Sequence, residues 1–77
     1  MPPVLRHNGY RIFFYSNEHL PIHIHIEKGE KTAKFNIEQQ VLVNSYRFSP
    51  SEIREMRILV EQNKQTFIDK WNEYFNS

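Results

Sequence analysis

The residues best able to do chemistry lie in one short stretch, "NEHLPIHIHIE". It runs from Asn17 to Glu27 and holds three of the chain's four histidines. Ile22 to Glu27 alternates strictly between apolar and polar residues, the pattern of a half-buried strand. Successive strand side chains point to opposite faces. Ile22, Ile24 and Ile26 therefore share one face, and His23, His25 and Glu27 share the other. If the isoleucines face the core, the same rule brings Arg11, Phe13 and Tyr15, and Thr32, Lys34 and Asn36, onto the histidine face.

Three readings fit this constellation. In the first, His23 and His25 stand about 7 Å apart along the strand. With Glu27 as a third ligand (or Glu18 or His19), they would hold zinc or a similar divalent ion. In the second, the two imidazoles titrate near neutrality and act as general base and general acid. Arg11 and Lys34 would hold a phosphate, Tyr15 would stand beside them, and a phosphodiester would be cut without metal. In the third, the face is a polar surface that binds a partner. Residue types alone leave open whether the protein is an enzyme. No Ser–His–Asp set or Gly-rich phosphate loop is present. The absence of cysteine excludes disulfides and thiolate metal sites.

The elements that must position these residues are legible in outline. Asn8-Gly9 is a tight hairpin signal between Val4–Arg6 and Tyr10–Tyr15. Tyr10–Tyr15 is apolar on both faces, which suits a central strand. Lys28–Lys31 turns the chain into Thr32–Ile37, and Val41–Val43 is a candidate fifth strand. Ser49-Pro50-Ser51-Glu52 is a complete helix start: a cap, proline at the first helical position and a glutamate that reaches back. From there to Phe75 no glycine or proline intervenes. Ile53, Met56, Val60, Phe67, Trp71 and Tyr74 keep one helical stripe, which predicts one long helix, with a break near Gln62–Lys64 as the alternative. The expected fold is α+β, a single domain over 1–77. An antiparallel meander of four or five strands (1–44) would carry one long C-terminal helix (49–76) on one face.

Totals narrow the setting. The chain has 77 residues and a net charge of +1, so charge alone argues for no nucleic acid. Its apolar runs are too short to span a bilayer. Its start lacks a signal-peptide pattern, and the expectation is a soluble, unprocessed, cytoplasmic protein. No cofactor is implied beyond the divalent metal of the first reading.

Phe13-Phe14-Tyr15-Ser16-Asn17-Glu18-His19, then Pro21 and His23-Ile24-His25-Ile26-Glu27, then Ala33-Lys34-Phe35, and the ending Trp71-Asn72-Glu73-Tyr74-Phe75 together resemble the bacterial family called domain of unknown function 4160. Members often carry two prolines before the first histidine of the pair, where this chain has Pro21-Ile22. The resemblance implies a small stand-alone bacterial protein whose gene often neighbours that of another small protein, as in toxin–antitoxin pairs. It implies no catalytic residue. The combined expectation is a toxin-like component that acts on RNA through the His23–His25 face, alongside a companion protein. The alternative is a non-enzymatic protein-binding or metal-binding module using the same face.

Length adds one more expectation. A straight helix from Pro50 to Phe75 would extend ~39 Å, whereas strands of six or seven residues reach only ~20–24 Å. Trp71, Tyr74 and Phe75 would then overhang the sheet and be covered by a second chain, either another copy or the companion.

Overall fold

Two tight turns set the two N-terminal hairpins. Asn8 and Gly9 both have positive φ, 50° and 83°, the conformation a two-residue loop between twisted strands demands. They join β1 (Pro3–His7) to β2 (Tyr10–Phe13), with His7 opposite Tyr10. Gly29, at φ 62°, opens the loop joining β3 (His23–Lys28) to β4 (Lys31–Asn36), with Lys28 opposite Lys31. A further turn leads to β5 (Val41–Tyr46). In this computed structural model, which describes residues 3–14 and 21–75, the five strands form one antiparallel sheet in the order β1-β2-β3-β4-β5. The fold is α+β, as the sequence pattern implies. The fifth strand runs beyond Val41–Val43, and the sequence hides its length because a bulge opposite Lys34 and Phe35 interrupts its alternation.

One face of the sheet is the core. Tyr10, Ile12 and Phe14, then Ile22, Ile24 and Ile26, then Ala33, Phe35 and Ile37 are all buried there. They pack against Met56, Leu59, Val60, Phe67 and Trp71 from the C-terminal half. The isoleucines of β3 thus lie as their alternation requires.

The C-terminal half is not one long helix. It forms α1 (Pro50–Gln62) and α2 (Lys64–Phe75), divided at Asn63. Asn63 leaves helical geometry at φ −116° and ψ 16°, and its side chain Nδ2 donates to the Leu59 carbonyl at 2.9 Å. The physical reason is length. Thirteen helical residues span ~20 Å, about what the six residues of β4 span. Lys31 at the start of β4 bonds Glu52 in the first turn of α1, and Lys64 bonds the Glu38 carbonyl just beyond β4. α1 therefore begins beside the start of β4, and the break at Asn63 falls near the end of that strand. From the break, α2 brings Trp71 to Phe14, 5.2 Å away between ring centroids. Trp71 is only 4% exposed, so the uncovered aromatic end expected of a straight helix does not exist at this residue. Phe75 packs partly against the core, and Tyr74 stays 41% exposed. Among the described residues, no helix is long and apolar enough to cross a membrane.

The start of α1 is fastened to the sheet by one carboxylate. Glu52 accepts from Lys31 Nζ at 2.8 Å and from the Ser49 backbone N–H at 2.9 Å, while Ser49 Oγ accepts from the Glu52 N–H. The Lys31 bond, followed by the Ser49 N–H, lowers the Glu52 pKa from 4.5 to about 2. A depressed carboxyl pKa stabilises the fold above its unfolded value, and that stabilisation is lost as pH falls through the folded one. Melting temperature should therefore decline as pH drops from 4.5 toward 2, with the difference between wild type and Glu52→Gln closing over the same window. A difference that persisted below pH ~2 would assign the effect to packing instead.

Candidate functional site

Strand pairing assembles the site as cross-strand rows on the face opposite α1. Phe13 pairs with His25, His25 with Lys34, and Lys34 with Asn44. The row beside it holds Arg11, Glu27, Thr32 and Tyr46, paired in that order. Arg6 stands opposite Arg11 on β1. On the other side of the first row, His23 pairs with Asn36. Phe13, His25, Glu27, Thr32, Lys34 and Asn44 line an open hollow of about 240 Å³.

Phe13 belongs to this face yet is fully buried. The Arg11 guanidinium lies 4.8 Å from its ring centroid, and the His25 ring stacks on it at 5.6 Å and 25°. Arg11 also pairs with Glu27 at 3.1 Å. Both partners of that pair are about one-third exposed, so it contributes at most ~1 kcal/mol.

The two histidines part company. Their rings meet edge to face at 5.2 Å, which keeps them on one side of β3 as the alternation requires. His25 is half-buried at the wall of the hollow. His23 is 3% exposed, against the expectation of a matched accessible pair. α2 contributes to that burial: the Trp71 ring lies 5.3 Å from the His23 ring. The ring is also tied down at Nδ1, 2.7 Å from the Pro21 carbonyl oxygen. A carbonyl only accepts, so Nδ1 carries the proton and neutral His23 has its acceptor lone pair on Nε2. A run of rings thus passes from Phe13 through His25 and His23 to Trp71 and on to Phe75, 4.5 Å further.

Of the residues expected to do chemistry, the sheet brings His23, His25, Arg11 and Lys34 to one face, with Glu27 among them. Tyr15 lies outside the described residues, as do the alternative third ligands Glu18 and His19. Among the described residues, no three His, Asp or Glu side chains group as a metal set. Glu27 is engaged by Arg11. Asn44 and Tyr46 join the face unforeseen. The signal for them was the uncharged run Val41 to Tyr46, whose alternation the bulge at Val43 obscures.

Residues 9–72 match the model of the family described as domain of unknown function (DUF4160), and the chain belongs to that family. Neither the curated proteins nor the solved structures compared with it give a match.

The buried setting of His23 and the open setting of Lys34 predict different costs. His23→Ala would leave a cavity under Trp71 and an unpaired carbonyl at Pro21, and should destabilise the fold by about 2–4 kcal/mol. Lys34→Ala, on the open part of the face, should stay within about 0.5 kcal/mol. Urea unfolding of the two variants checks this; equal small losses would show that His23 is not held as described.

Proposed function

We propose that the protein is the toxin-like member of a bacterial toxin–antitoxin pair and acts on RNA through the hollow beside His25. The observation that carries this reading is the row Phe13–His25–Lys34–Asn44 lining one open hollow. It sets one imidazole beside one ammonium group and one amide, a fitting arrangement for a phosphodiester. Neutral His25 would take the proton of a ribose 2′-hydroxyl. That oxygen would attack phosphorus, and the bond to the 5′-oxygen would break, leaving a cyclic phosphate. The departing oxygen would take its proton from water, because buried His23 is poorly placed to supply it. Lys34 would hold the phosphate, with Arg11 joining when its pair with Glu27 opens. Tyr15 keeps its candidate role on the sequence pattern alone. The companion protein follows from the gene pairing that the family resemblance implies, and the cytoplasmic setting is the expectation for a small domain without cysteine; the companion would neutralise by covering this face.

A second reading is a binding module without catalysis, and the burial of His23 favours it, since the pair then offers one accessible acid–base group rather than two. Expression with and without the neighbouring gene, together with RNA cleavage by purified protein, separates the two. The catalytic reading expects growth inhibition relieved by the companion. It also expects His25→Ala to lower cleavage about 10²- to 10⁴-fold without loss of fold. Full toxicity in His25→Ala would sink it; RNA binding without cleavage by wild type would remove the catalytic step and leave a binding module.

A further inference from the structure

Tyr46 is a large aromatic residue left 55% exposed on the polar face. Its cross-strand partner Thr32 and its same-face neighbour Asn44 both line the hollow. Lys34, opposite Asn44, is thus the diagonal neighbour of Tyr46, a relation that spans ~7–8 Å. Arg47 follows at φ 67°, a conformation that non-glycine residues seldom adopt. This turn of the backbone sets the Arg47 guanidinium 5.1 Å over the Tyr46 ring. The Arg47 side chain is itself 60% exposed and reaches Glu30 at 3.7 Å. An exposed ring, a guanidinium on it and a lysine one diagonal away are the parts that single-stranded nucleic-acid sites combine. The charge of the face agrees: Arg6, Arg11 and Lys34 stand against Glu27, which Arg11 already neutralises.

We propose that Tyr46 and Arg47 form a base-stacking subsite for single-stranded RNA at the rim of the hollow. A base would lie on Tyr46 while the adjoining phosphate reaches Lys34, which delivers the backbone to His25. A duplex keeps its base faces stacked on one another and so offers Tyr46 nothing to receive. The subsite rests on the RNA reading above and deepens it by naming the substrate as single-stranded.

The test is the affinity of a short fluorescein-labelled oligouridylate, read by anisotropy, for wild type, Tyr46→Phe, Tyr46→Ala and Lys34→Ala, with an RNA duplex as competitor. Tyr46 is exposed, so its variants should melt with wild type. Tyr46→Ala should bind about 5- to 150-fold more weakly, the range that loss of one stacked base produces. Tyr46→Phe should stay within about twofold, because the ring and not the hydroxyl carries the contact, and the duplex should compete poorly. Binding lost in Lys34→Ala but unchanged in Tyr46→Ala would overturn the subsite and leave the RNA reading standing. Wild type that binds no oligonucleotide, or binds the duplex equally well, would overturn the subsite, and the former result would remove the RNA reading with it.

Discussion

Trp71 closes the end of the sheet, and the arrangement of the functional face depends on its doing so. The indole reaches Phe14 on the core side and His23 on the polar side. A single element can touch both faces only where the strands stop. The break at Asn63 falls where α1 has used the length of β4, and α2 carries Trp71 to that end of the sheet. Burying Phe67 and Trp71 gains roughly 1.5–3 kcal/mol for each large side chain. The interrupted helix at Asn63 costs less than that, because its side chain bonds the Leu59 carbonyl and the Phe67 N–H bonds the Asn63 carbonyl, resuming the helix at once.

The placement of Trp71 also divides the histidine pair into two roles. His23 becomes a structural ring, fixed in one tautomer by the Pro21 carbonyl and shielded by Trp71. His25 keeps access to the hollow, with Phe13 under it and Lys34 beside it. The motif that draws the eye as a symmetric pair therefore works as an asymmetric one. One member orders the end of the sheet, and the other faces whatever enters the hollow.

Much of this was legible in the sequence wherever the controlling physics is local. The hairpin at Asn8-Gly9 follows from two positive φ values, the helix start from the Ser49–Glu52 box, and the burial of Ile24 and Ile26 from strict alternation. The histidine face followed from the same alternation. The break at Asn63 was legible only as an alternative, because a single Asn costs a helix little, Lys64 suits a helix interior, and the apolar stripe keeps its phase across them. What ends α1 is the length of β4, a tertiary fact. The burial of His23 was hidden for the same reason, since Trp71, which packs on its ring, lies far along the chain. Asn44 and Tyr46 were missed because a bulge breaks the period of two that would have placed them.

The most direct measurement of this account is a double-mutant cycle between His23 and Trp71, read as unfolding free energy from the wild type, His23→Ala, Trp71→Ala and the double variant. Rings in contact across the end of the sheet should couple by about 0.5–1.5 kcal/mol. Additive losses, with coupling of zero within error, would mean that α2 does not hold His23, and the division between a structural and an accessible histidine would fall with it.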